Sequence, residues 1–264
     1  MIGSTEQAGE RGPVPVLHAA LFMPGRSMIY SPDTDRRGSE NMEYLAVRDV
    51  ELPDYEKNEE LLNTVTHAAG AVMAAFVLVS GLLVAVRNRK SLAVPSCCIY
   101  GLSMFVLYAV SAVYHGLPKG NAKRLMRVID HCTIYLLIAG SYTPILLTAI
   151  RPEHPTLAWT VFAAEWGLGL IAAVLTAINL KKSSRLSMIC YIVMGWLVAA
   201  ALKPTIAALS WKGFAWLLAG GVCYTVGAVL YKTGKKKRYF HTVFHVFVVL
   251  ASLLQAVCIL RYVF

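Results

Sequence analysis

The chain has 264 residues, of which 57% are hydrophobic and only 15% charged. A soluble domain carries about a quarter charged residues, so a water-soluble globular enzyme is excluded and a helical membrane protein with several spans is indicated. The net charge of +10 does not call for nucleic acid as a partner, because residues 1–60 hold 12 of the 15 acids against 6 of the 25 bases, and the aromatic residues sit in apolar runs rather than in basic grooves.

Taken in order, residues 1–57 read as a flexible tail rich in Gly, Pro, Ser and charge. The apolar stretch 14–23 is too short to span, and Glu6 and Glu10 stand where a signal peptide needs bases. Met42 could begin a shorter product, making part of the tail a start-site artefact. Residues 58–264 then read as one domain of seven apolar runs, at 61–86, 92–115, 129–150, 156–179, 186–206, 211–231 and 239–262. Each is long enough to cross about 30 Å of hydrocarbon as a helix. The expected fold is therefore an all-α integral membrane protein, a seven-helix bundle. Loops 2-3, 4-5 and 6-7 hold twelve bases, four of them at 235–238, against seven in the other loops and the C-terminus. That asymmetry places the N-terminus inside and the C-terminus outside. The six cysteines form no C-x-x-C and lie in or beside apolar runs, so they read as core residues.

With this topology, four helices bring polar residues to the inner leaflet. Helix 1 starts with Glu60, Asn63 and His67; helix 2 ends with Ser111 and His115; helix 3 opens with Asp130 and His131; helix 7 opens with His241 and His245. Ionisable groups within a membrane are costly, so agreement at one depth reads as a site. His241 and His245, one turn apart on one face, can join His115 in three positions of a tetrahedral zinc, leaving the fourth to water as catalytic zinc sites do. Asp130 would accept a proton from that water, and Ser111 would donate to a developing oxyanion. A Ser111–His115 relay is the weaker alternative, since no carboxylate is assigned to orient the ring. Glu60, Asn63 and His67 are expected beside the ligands rather than on the metal. His131, about 100° around the helix from Asp130, is expected to be structural. Pro144 should kink helix 3, and Gly167, Gly169, Gly195, Gly220, Gly221 and Gly227 should permit close helix packing.

The run from Glu59 to His67 resembles the first-helix signature of the hemolysin III family, the bacterial branch of the progestin and adipoQ receptor superfamily. So do Tyr108 through Ser111 to His115, Asp130-His131 leading to Pro144, and the His241/His245 pair. The resemblance covers about residues 58–264. It implies a cytoplasmic-side zinc on His115, His241 and His245, with Asp130 holding its water. The related alkaline ceramidases imply hydrolysis of lipid amides, and bacterial members imply a role in membrane lipid homeostasis. Two residues depart from the pattern. Gln255 stands where a further histidine is common, about 15 Å too deep to share the ion. Glu165 stands in mid-helix 4 where an apolar residue is expected, either neutral and hydrogen-bonded or lining a polar cavity.

Three functions follow from this reading: a plasma-membrane zinc hydrolase of a lipid amide or ester, a lipid-sensing receptor-like protein braced by structural zinc, and, least compatibly with so few charged groups, a pore-forming cytolysin. A membrane lipid is the expected substrate or ligand, and the bilayer the expected surroundings.

Overall fold

A computed structural model describes residues 47–234 and 237–264, and every regular element in it is helical. After a short 3-10 turn, Val47–Asp49, come α1 (Lys57–Asn88), α2 (Ala93–Gly116), α3 (Asn121–Pro144), α4 (Pro155–Ile178), α5 (Leu180–Gly195), α6 (Leu202–Thr233) and α7 (Phe240–Cys258). Among the described residues, six helical stretches are long and apolar enough to cross a membrane. One of them, Leu180–Thr233, has 54 residues. It joins α5 to α6 through a 3-10 stretch, Leu197–Ala201, and α6 is itself broken at Ser210, where φ is 59° and ψ 168°. That backbone region is hostile to any residue with a Cβ, so Ser210 marks a forced corner rather than a gentle bend.

Packing follows residue size. The buried seam of α1 runs Asn63, His67, Gly70, Ala74, Val77, Gly81, Ala85, at spacings of three and four, while Val72, Phe76, Val79 and Leu83 face outward. An outward apolar face is what lipid requires, and a seam of small residues is what lets two helices approach. A Cβ on Gly70 would lie 2.6 Å from the Tyr108 ring of α2. Tyr108 in turn donates to the Val248 carbonyl at 3.2 Å and to Ser252 Oγ at 2.7 Å, fastening α2 to α7. α3 lies at the centre, buried almost continuously from Leu137 to Ile150. Pro144 cannot donate to the preceding turn, and the helix answers with π-helical winding over Ile145–Ile150.

α1 and α7 run parallel. Their histidines meet at one end, and at the other Asn88 Nδ2 and Lys90 Nζ donate to the carbonyls of Phe264 and Val263, at 2.5 and 2.8 Å.

Residues 1–46, and the two lysines 235 and 236, lie outside the described residues. Two expectations change. Residues 50–56 were expected in the tail but lie along the histidine end of the bundle, with Val50 buried. The third helix begins at Asn121, not near 129, so Lys123, Arg124 and Arg127 are helical and Asp130 sits in the third turn. A basic run reads as loop by hydropathy, yet a helix can continue past the hydrocarbon once its charges find partners.

Candidate metal centre

Each histidine is delivered by a helix end. Tyr239 caps the start of α7 and its amide donates to Glu59 Oε1 at 3.1 Å, and His241 and His245 then project from one face. His115 lies in the last turn of α2. The His241 Nε2 atom is 3.2 Å from His115 Nε2 and 3.0 Å from His245 Nε2. Among the described residues, the ligand atoms of His115, His241 and His245 all fall within 4.8 Å of one another. Zn–N bonds of about 2.0–2.1 Å in a tetrahedral site put two ligand nitrogens about 3.3 Å apart, so the two close separations suit a shared ion. The three facing nitrogens are a donor set that could hold a metal ion, and each short contact also lies within hydrogen-bond reach. Two of the three rings are almost fully buried, with His115 and His245 each 2% exposed.

The surroundings orient these side chains. Glu60 Oε2 accepts from His115 Nδ1 at 2.6 Å, which leaves Nε2 free for the metal. Glu60 Oε1 pairs with Lys123 at 2.8 Å, and that buried ammonium also donates to the carbonyls of His115 and Leu117. Thr242 donates to Asn63 Oδ1 at 2.6 Å, while the Asn63 amide nitrogen is a distant 3.5 Å from His115 Nδ1. The His67 ring stacks face to face on His245 at 3.6 Å, and neither of its nitrogens has a hydrogen-bond partner among the described residues. On the outer side of the cluster, Tyr55 stacks on His241 with centroids 4.9 Å apart.

A cavity of about 150 Å³ runs from the histidines into the bundle. Ser111, Asp130, His241, His245 and Gln255 are all on its wall, so it joins the proposed reactive groups to a residue ten positions deeper on α7. Most of the remaining lining is apolar, including Leu137, Ile138, Phe244 and Val248. Where it meets α5 and α6, the lining residues Ile192, Gly195, Thr225 and Ala228 are only half-buried, so the cavity nears the outer surface of the bundle between these two helices. Asp130 faces the cavity near His131, 3.7 Å away, and is not one of the grouped ligands. His131, expected to be structural, lines this cavity as well as donating to the Arg127 carbonyl at 2.8 Å.

Neither Tyr55 nor Lys123 is evident from the sequence, where Tyr55 reads as tail and Lys123 as loop charge. The mid-helix Glu165 is fully buried with neither carboxyl oxygen partnered among the described residues, and it is not on the cavity wall.

Residues 55–256 match the family described as haemolysin-III related. Hemolysin-3 of Bacillus cereus is 37% identical over 205 residues, covering 78% of this chain and 92% of the relative. The chain belongs to the haemolysin-III-related family. A second family relative, the hemolysin-3 homolog of Bacillus subtilis (strain 168), is also 37% identical, over 204 residues, covering 77% of this chain and 94% of its own length. The human monocyte to macrophage differentiation factor is 26% identical over 216 residues, covering 75% and 84%, and ties the family at a distance to the progestin and adipoQ receptors.

Proposed function

We propose that this member of the family is a seven-span, zinc-dependent hydrolase of a membrane-lipid amide or ester, acting in lipid homeostasis at the cell membrane from a cytoplasmic-side site. The observation that carries it is the convergence of three imidazole nitrogens, with Glu60 behind one of them, at the head of an apolar cavity. Seven crossings are supported by the corner at Ser210 and by the parallel run of α1 and α7, which requires an odd number of passes. The inside placement of the histidine end is supported by the bases of the loops on that side.

Bound zinc would supply a Lewis acid for a carbonyl oxygen and for a water. His115, His241 and His245 would hold it, and Glu60 keeps the His115 ring in the tautomer that can do so. Asp130, on the wall of the same cavity, takes the proton from the attacking water. Ser111 donates a hydrogen bond to the carbonyl oxygen as negative charge develops there. The apolar lower cavity accepts the lipid chain and excludes water from all but the reacting end.

Zinc-loaded protein should release fatty acid from a lipid amide or ester, and Asp130→Asn should abolish release while retaining metal. Undiminished release by Asp130→Asn would refute this assignment. A second reading, in which the ion only braces α2 against α7, is favoured by the Tyr55 ring lying over His241. It predicts a thermal stability that falls on chelation, with no product from any lipid.

A further inference from the structure

A second cavity of about 210 Å³ lies at the histidine end, between the 47–56 segment and α5. It shares His131, Met188, Tyr191 and Tyr231 with the apolar cavity, so the two adjoin as a polar upper chamber and an apolar lower one. That is the outline of an amphiphile. The charges on the upper wall divide by origin. Both acids, Asp49 and Glu51, come from the 47–56 segment, whereas both permanent cations, Arg127 and Lys181, come from the bundle. Glu51 Oε1 accepts from Lys181 at 2.6 Å, and its backbone carbonyl accepts from Arg127. The Glu51 carboxylate therefore already occupies an anion position.

Resting on the lipid reading above, we propose that this chamber binds a phosphate group, the headgroup of a lipid whose chain fills the lower cavity, and that Glu51 is its built-in competitor. Displacing the 47–56 segment removes both acids at once and leaves Arg127 and Lys181, with the Ser184 hydroxyl beside them, facing a basic chamber open to water. Besides the burial of Val50, the Arg124–Val50 hydrogen bond and the Tyr55 stack on His241, the segment is tied down by exposed ion pairs. The Lys181–Glu51 and Lys119–Asp54 pairs have side chains 67–90% exposed, and Arg238 and Glu56 pair in a similar setting. Such contacts are weak and screened by salt. Arg127 and Lys181 are then free to hold a phosphate by charge-assisted hydrogen bonds, the guanidinium in bidentate fashion.

The test compares binding of 1-oleoyl-glycerol 3-phosphate, mono-oleoyl-glycerol and inorganic phosphate to the purified full-length protein in neutral detergent. The phosphate-bearing lipid should bind about tenfold more tightly than the uncharged one, the difference falling as salt rises. Lys181→Gln, an exposed substitution, and Arg127→Gln should each erase most of that difference without changing mono-oleoyl-glycerol binding, and Glu51→Gln should enlarge it. Competition by inorganic phosphate alone would support the same anion site with free phosphate as a source; failure of inorganic phosphate to compete would assign the site to the lipid. Equal affinity for the two lipids, or a preference unmoved by Lys181→Gln and Arg127→Gln, would overturn the phosphate site while leaving the lipid reading in place. Absence of binding by either lipid would count against the lipid reading itself.

Discussion

Glu60 offers the sharpest single substitution, because its two oxygens serve two partners. Oε2 accepts from His115 Nδ1 at 2.6 Å, and Oε1 faces Lys123 Nζ at 2.8 Å, with the lysine side chain only 4% exposed. Glu60→Gln keeps the shape but turns one oxygen into a donor that must face either an imidazole N–H or an ammonium. Removing the orienting partner of a metal-bound histidine lowers affinity about 10–100-fold, which corresponds to about 1.4–2.8 kcal/mol. Separately, breaking a buried ion pair costs about 3–5 kcal/mol of stability. The lower end is expected here, since Lys123 keeps the carbonyls of His115 and Leu117 as acceptors. Zinc affinity is read by competition with a chromophoric chelator, and stability by thermal unfolding of the metal-free protein. Adding Lys123→Met to Glu60→Gln should recover most of the stability and none of the affinity. Wild-type zinc affinity in Glu60→Gln would refute the orienting role. Affinity regained in the double variant would show that charge, not orientation, was at stake.

Further outcomes follow from the packing. A Cβ at Gly195 or Gly221 meets nothing within 4 Å, and both residues line the apolar cavity. Gly195→Leu and Gly221→Leu should keep metal content and fold but cut lipid turnover at least about tenfold by filling the chain's space, measured as fatty-acid release; unchanged turnover would contradict the placement of the chain. Glu165 is an unpartnered carboxyl in mid-helix, so Glu165→Met should raise stability by about 1–3 kcal/mol in thermal unfolding, and a loss would mean that the acid has a partner. Hydrogen bonds from Lys181 and Lys119 hold Glu51 and Asp54 below the usual carboxylate range. Their contribution is therefore fully present above an unfolded pKa of about 4 and is lost as the pH falls through the lowered folded values. Hydrogen-exchange protection of residues 50–56 should persist from pH 7 to 5 and drop at more acidic pH; loss already at pH 6 would contradict this.

The sequence made the class legible because hydropathy and loop charge are local properties. The three histidines were legible because few other residues could interrupt such apolar helices at one depth. What stayed hidden depended on tertiary contact. Lys123 looks like any loop lysine until α3 is seen to start at Asn121 and carry it onto Glu60. Tyr55 belongs to a polar stretch that bases on α3, α5 and the α2–α3 loop bring across the end of the bundle. The glycines divide in the same way. Gly169, Gly220 and Gly227 sit against neighbouring side chains as close packing requires, but Gly167, Gly195 and Gly221 face open space, and composition alone does not separate the two groups. The corner at Ser210 has no signal in residue type, because serine ordinarily avoids that conformation.

The most direct test is metal analysis of the purified full-length protein alongside His245→Ala. The geometry predicts about one zinc per chain, with X-ray absorption reporting three nitrogen neighbours near 2.0–2.1 Å, and its loss in the variant. A metal-free wild type after zinc supplementation, or equal zinc in both proteins, would contradict it.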